Sequence, residues 1–129
     1  MSDCSDLIGI PFKRGSDLSD GHIDCIHLVY KVLDALSIEA PAFKDSWYEA
    51  SRREILNDLY AWGYRIRRPS YTEGDVLLIP QEGWTFAVVA EGGVLYCNRH
   101  LERVQWSLPQ MFSILHCFRS KCSYAKLQD

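Results

Sequence analysis

Residues 24–36, DCIHLVYKVLDAL, decide the fold class because they contain the clearest periodic pattern in the chain. Apolar side chains recur at the helical positions i, i+3, i+7 and i+10, which are Ile26, Val29, Leu33 and Leu36. The polar side chains of His27, Lys31 and Asp34 fall together on the opposite face. Asp24 precedes this pattern as an N-cap. The stretch therefore predicts a helix over Cys25–Leu36 with Cys25 in its first turn.

A second helix is predicted over residues 47–62, because Ser46-Trp47-Tyr48-Glu49 fits a capping box and Gly63 suits a C-cap. The pattern then changes to short β-rich segments, which are Tyr64–Arg68, Asp75–Ile79, Phe86–Ala90, Val94–Cys97, Val104–Ser107 and Ser113–Arg119. Gly92-Gly93 between two apolar runs indicates a two-residue hairpin. Helices followed by strands predict an α+β fold, with N-terminal helices packed on an antiparallel sheet of five to six strands.

Composition excludes several classes of protein. The 129 residues are 47% hydrophobic and 24% charged, which is typical of one globular domain and excludes a disordered chain, a collagen or a coiled coil. The formal net charge of −3 argues against nucleic acid as a partner. No apolar run approaches the length of a membrane span, so we expect no membrane partner.

The cysteines and the N-terminus indicate a reducing compartment. An odd number of cysteines argues against a secreted disulfide framework; they are Cys4, Cys25, Cys97, Cys117 and Cys122. Residues 1–6 are polar and acidic, unlike a secretory signal. We therefore expect synthesis in the cytoplasm without a signal peptide.

Cys25 is the candidate for chemistry among these thiols. At the start of a helix, the positive end of the dipole and the free amide groups stabilise a thiolate. Cys25 also shares its side of the helix with Leu28, Val29 and Val32, so a small buried hydrophobic residue is the alternative.

Three motifs in order resemble the NlpC-like papain-fold cell-wall peptidases. They are IGIPFKRG at residues 8–15, IDCIHLV at residues 23–29 and GDVLLI at residues 74–79. Trp47 and the ending Phe118-Arg119 look most like the branch that tailed phages encode. The resemblance covers about residues 6–119, which implies a single papain-like domain over 1–129 with a short C-terminal tail at 120–129.

The resemblance implies a mechanism and a set of site residues. In this family a cysteine thiolate attacks an amide of the peptidoglycan stem peptide, a histidine acts as base, and a third polar residue orients the histidine. Cys25 takes the catalytic position, and the substrate is expected near Phe12, Asp24, Thr85 and Tyr96. No metal or cofactor is implied.

The sequence departs from the family at the chemical positions. Thr85 stands at the base position, and its hydroxyl cannot accept a proton near neutral pH. The third position falls at Tyr96 or Cys97, Phe12 replaces a tyrosine, and His27 replaces a glycine. Losing the base costs several orders of magnitude in rate.

The other histidines offer few substitutes for the base. His100 lies in the turn after the strand that contains the third catalytic position. A small change of strand register would bring His100 toward Cys25. We expect His27 to be exposed and His116 to be a core residue. The loop position of His22 does not indicate where its ring points.

Two further clusters have ordinary interpretations. A metal or iron–sulfur site could in principle be formed by Cys117 and Cys122 together with Cys4 and Cys97. The spacing of these cysteines instead favours separate thiols. The basic, aromatic stretch at residues 62–71, with Arg52-Arg53, could contact a phosphate backbone, but in an acidic chain it favours a solvated strand edge protected by charge, or a protein docking surface.

Two functions remain open from the sequence. The first is a peptidase-type domain related to phage peptidoglycan endopeptidases, with lost or reduced catalysis and the stem peptide as its partner if active. The second is a non-catalytic component of a phage tail tip or baseplate, with tail or assembly proteins as partners and the virion as its location.

Overall fold

The computed structural model of the 129-residue chain describes residues 4–41, 51–67, 70–81 and 83–122. Within these ranges two α-helices precede six strands. The helices are α1 (Cys25–Ala35) and α2 (Arg52–Trp62). The strands are β1 (Gly63–Arg65), β2 (Val76–Pro80), β3 (Trp84–Ala90), β4 (Gly93–Asn98), β5 (Arg103–Ser107) and β6 (His116–Ser120).

The six strands form one sheet in the order β1-β6-β2-β3-β4-β5. Every neighbouring pair is antiparallel. The predicted α+β class with an antiparallel sheet is therefore confirmed. Strand β6 extends one residue into the predicted tail, because Ser120 pairs with Gly63 and is buried.

Two apolar cores lie on opposite faces of the sheet, as the alternation of side chains along a strand requires. The helix-side core joins the buried residues of α1 to sheet residues that include Phe86, Val88, Leu95, Cys97 and Phe118. The far-side core contains Leu77, Ile79, Ala87, Val89, Val94, Tyr96 and Cys117, with Ile66, Tyr71, Phe112 and Ile114 packed against it. The parity of a strand residue therefore decides whether its side chain meets α1.

Helix α1 forms as predicted and ends one residue earlier. The Asp24 carboxylate accepts the His27 backbone N–H, which caps the first turn. The helix ends at Ala35 because Leu36 leaves helical geometry and Ser37 has a φ of 58°. The apolar stripe of α1 is buried in the helix-side core.

Helix α2 begins later than predicted. Ser51 has extended backbone geometry and its hydroxyl accepts the Glu54 backbone N–H, so Arg52 is the first helical residue. The reason is a second capping-box pattern, Ser51-x-x-Glu54, that competes with the one at residues 46–49. The prediction of one continuous helix over residues 47–62 is therefore wrong, because Ser51 is not helical. The predicted capping box at residues 46–49 lies outside the described residues.

The hairpin between β3 and β4 is shifted by one residue from the prediction. Its two loop residues are Glu91 and Gly92, with φ of 55° and 75°. Gly93 is instead the first residue of β4 and pairs with Ala90. A Cβ at Gly93 would stand 2.5 Å from the Trp106 indole, so close packing, not turn geometry, requires glycine there.

Asp75 and Arg119 tie β2 to β6 through a buried ion pair. The Arg119 Nε and Nη2 groups donate to the two carboxylate oxygens of Asp75, each at 2.8 Å. Arg119 Nη2 also donates to the Ser70 carbonyl, and the Asp75 carboxylate accepts the Thr72 N–H at 3.0 Å. The pair thus joins the Gly74-Asp75 motif to the Phe118-Arg119 ending.

Strands β1 and β6 are shorter than predicted. Strand β1 ends at Arg65, and β6 begins at His116. In the part of the chain that the structure describes, no helix has the length and apolar character needed to cross a membrane.

Candidate active site around Cys25

Cys25 is the first residue of α1, and its side chain belongs to the helix-side core with Phe86 and Cys97. Its relative exposure is 9%. The Phe86 backbone N–H and the Arg99 side chain are neighbouring donors that lower the pKa of this thiol. Burial nevertheless raises the pKa of the Cys25 thiol, and the Asp24 charge raises it further. The helix start alone therefore does not make this thiol acidic.

Asp24 holds the local backbone together. Its Oδ2 accepts the Gly15 N–H at 2.9 Å, and its Oδ1 accepts the His27 backbone N–H at 2.8 Å. The His27 Nδ1 lies 2.8 Å from the same Oδ1. The Asp24 N–H donates to the Ser16 carbonyl at 3.0 Å. These bonds fasten the Gly15–Ser16 loop to the start of α1.

Arg99 is a site residue that the sequence analysis missed. Its guanidinium carbon lies 4.4 Å from the centre of the Phe12 ring, a cation–π contact. Its backbone N–H donates to Gln81 Oε1 at 3.1 Å. The one available signal was a cation directly after β4, which does not by itself predict a contact with Cys25. The structure thus brings Phe12, Asp24 and Arg99 around the thiol.

Thr85 and Tyr96 lie on the far side of the sheet from Cys25. Thr85 pairs with Ile79, a member of the far-side core. Its hydroxyl donates to the Gln81 carbonyl at 2.9 Å and accepts from Gln81 Nε2 at 3.3 Å. Tyr96 belongs to the far-side core, where its ring stands edge-on to Phe112. Neither side chain faces the thiol.

The positions expected for the base and for the orienting residue therefore do not place Thr85 and Tyr96 next to Cys25. Other side chains of β3 and β4 lie on the helix side of the sheet. Along β3, residues 84 and 86 face α1, and both side chains, Trp84 and Phe86, lack a proton acceptor. Of the two candidates for the third position, Cys97 lies on the helix side. Burial raises the pKa of the Cys97 thiol, and the neighbouring Cys25 and Asp24 raise it further.

The histidines lie apart from the Cys25 sulfur. His27 is not simply exposed, because its side chain is 20% accessible and bonded to Asp24. Two residues along a helix are separated by about 200° around its axis, so His27 and Cys25 point in different directions.

The remaining histidines have other surroundings. His100 lies in an exposed turn, where its N–H donates to Asn98 Oδ1 at 2.9 Å. His116 packs edge-on against Trp84, with ring centres 5.2 Å apart. His22 lies beside Asp20 in an exposed loop.

The five cysteines are free thiols. Cys4, Cys25 and Cys97 are buried in the helix-side core, Cys117 is buried in the far-side core, and Cys122 is exposed. Within the described ranges, no group of three or more His, Cys, Asp or Glu side chains is arranged to hold a metal ion.

Comparison with protein-family models finds no model that matches the chain, and comparison with curated proteins finds no significant relative.

Proposed function

We propose that the chain is an NlpC-like, papain-type domain related to phage peptidoglycan endopeptidases, with hydrolysis of stem-peptide amide bonds lost or strongly reduced. The order of the elements supports the relationship, since a cysteine begins a helix that packs on an antiparallel sheet. The loss of catalysis is supported by one observation above all. The described neighbours that favour the Cys25 thiolate, the Phe86 N–H and the Arg99 side chain, are both hydrogen-bond donors, and neither can take the thiol proton.

Donors alone do not activate this nucleophile. Amide hydrolysis by cysteine requires the thiolate, and a neighbouring base normally takes the proton. A guanidinium has no acceptor atom, and a backbone N–H has none either. Arg99 favours the thiolate electrostatically, but burial outweighs it and the pKa of Cys25 is raised. The thiol therefore stays protonated at neutral pH.

Asp24 does not replace the missing base. Its carboxylate lies next to Cys25 in the chain and is 2% exposed. Both of its oxygens already accept hydrogen bonds, from the Gly15 N–H and from His27. Its proximity raises the pKa of the thiol, because a carboxylate disfavours a second negative charge nearby.

The second candidate function is a structural or assembly component of a phage tail tip or baseplate. It is favoured by apolar side chains exposed on and after β5, at Trp106, Leu108 and Met111, the last of them 74% exposed. Exposed apolar side chains that lie close together are typical of protein–protein contacts. Under this second candidate function, the partners are phage tail proteins and the protein is located in the virion.

Digestion of purified peptidoglycan and of a synthetic stem peptide tests the proposal. Wild-type protein, Cys25→Ala and the matched exposed-thiol control Cys122→Ala are incubated with each substrate, and released fragments are measured by mass spectrometry. We expect no release above background from any of the three. Release by wild type and by Cys122→Ala that Cys25→Ala abolishes would show a working peptidase and overturn the proposal.

A further inference from the structure

A cleft of about 310 Å³ lies at the β1–β6 edge of the sheet. Residues 65–67, which continue from β1, form one wall, and residues 114–117, which lead into β6, form the other. Tyr71 also lines it. We call it the arginine cleft. Cys25 packs with β3 and β4 residues, and β2 and β6 separate those strands from β1.

The arginine cleft collects positive charge without a carboxylate in its lining. Arg65 and Arg67 both line it, and Arg65 is half-buried. Among the residues that the structure describes, neither arginine has an acidic side chain within ion-pair distance. Two guanidinium groups at one cleft repel each other unless an anion lies between them.

The nearest acidic group is already neutralised. Asp75 lies behind the cleft wall, 3.8 Å from the Cys117 sulfur. Its two oxygens are engaged by Arg119 in the buried ion pair. The cleft therefore presents the charge of Arg65 and Arg67 to solvent.

His116 adds a buried polar atom that the fold does not satisfy. Its Nδ1 is inaccessible and has no hydrogen-bond partner among the residues that the structure describes. Buried polar atoms are almost always paired, so such an atom in the wall of a cleft indicates a missing partner. Burial lowers the pKa of His116, and the positive charge of Arg65 lowers it further.

Tyr71 supplies a further donor. Burial, Cys117 and Asp75 raise the pKa of its hydroxyl, so the phenol remains protonated and donates hydrogen bonds. Two arginines, a tyrosine and a histidine are thus among the residues that line one cleft. Guanidinium groups are the preferred protein ligands of phosphate and carboxylate groups.

We propose that the arginine cleft is a binding site for an oxyanion group, with a doubly charged phosphate group bound more tightly than a carboxylate. Two fixed positive charges match the charge of a phosphate and exceed that of a single carboxylate. The site does not depend on Cys25, so it is independent of the function proposed above.

Titration with inorganic phosphate tests the site. Backbone amide shifts of ¹⁵N-labelled protein are followed at constant ionic strength, with sodium chloride replaced stepwise by phosphate in one series and by acetate in another. We expect saturable shifts at residues 65–67 and 114–117 with phosphate, and weaker saturation with acetate.

Two variants and one control locate the binding. Arg65→Gln and Arg67→Gln should each weaken phosphate binding about tenfold or more, because each removes a charge-assisted hydrogen bond. Arg53→Gln, an exposed arginine on α2, should leave the affinity unchanged. The amide spectra show whether each variant remains folded, and Arg67, which is exposed, is the safer position for substitution.

Three outcomes overturn the proposal. The first is shifts that do not saturate or that chloride reproduces, and the second is equal affinity in folded Arg67→Gln and wild type. The third is acetate binding as tightly as phosphate, which refutes the stated preference for the doubly charged group.

Discussion

Asp75 and Arg119 are the residues whose pairing most affects stability. Asp75 is fully buried and Arg119 is 7% exposed. Removing one partner of a buried ion pair leaves the other charge uncompensated. We expect Asp75→Asn to lower the free energy of unfolding by about 3–5 kcal/mol, measured by urea denaturation. Asp34→Asn, at an exposed position of α1, is the control and should change it by less than about 0.5 kcal/mol. Equal stability of the two variants would contradict the role of the pair.

Single residues show what the sequence predicts and what it does not. Asp24 as N-cap and Cys25 in the first turn are confirmed, because both follow from local chain geometry. The placement of Thr85 toward Cys25 is not found, because a strand shifted by one residue turns every side chain to the other face. The contact of Arg99 with Phe12 joins residues 87 positions apart, and no local pattern encodes it.

At the scale of elements, Asp24 sets the start of α1. Asp24→Ala removes the N-cap acceptor and the bond from Gly15. We expect a loss of about 1–3 kcal/mol in unfolding free energy, measured by thermal and urea denaturation. Asp24→Asn keeps a capping oxygen and should lose less. A larger loss in Asp24→Asn than in Asp24→Ala would refute the capping role.

The β3–β4 hairpin offers a test of packing between strands. In Gly93→Ala the added methyl meets the Trp106 indole, so we expect about 1–3 kcal/mol of destabilisation from overpacking. Trp106→Leu makes room for that methyl. In the double variant the cost of Gly93→Ala should fall, and a double-mutant cycle measures the difference. Strictly additive effects would show that the indole is not the obstacle.

The first and last residues of a helix or strand can be predicted from capping and turn patterns only where a single such pattern is present. Helix α2 has two capping patterns five residues apart, and the structure uses Ser51. The choice between Glu91-Gly92 and Gly92-Gly93 as the turn depends on Trp106, which belongs to β5. In both cases the sequence predicts the element and its type, while contacts beyond it decide the first residue.

The sheet combines strand pairs that are close in the sequence with strand pairs that are far apart in it. The local antiparallel pairs β2–β3, β3–β4 and β4–β5 follow from short connections, and the sequence predicts them as a run of strands. The insertion of β6 between β1 and β2 is long-range, and the Asp75–Arg119 pair reinforces it. This order determines which strands lie beneath α1, and the alternation along each strand determines which side chains face it.

The central claim is that Cys25 stays a thiol because no base accompanies it, and its titration tests this most directly. The rate of Cys25 alkylation by iodoacetamide is measured against pH by mass spectrometry of the Cys25 peptide, with exposed Cys122 as the internal reference. The midpoint of the rate profile reports the pKa, whatever the accessibility of the sulfur. We expect the Cys25 midpoint above the usual value of 9.0. A midpoint at or below about 7.5, as in activated cysteines, would contradict the account.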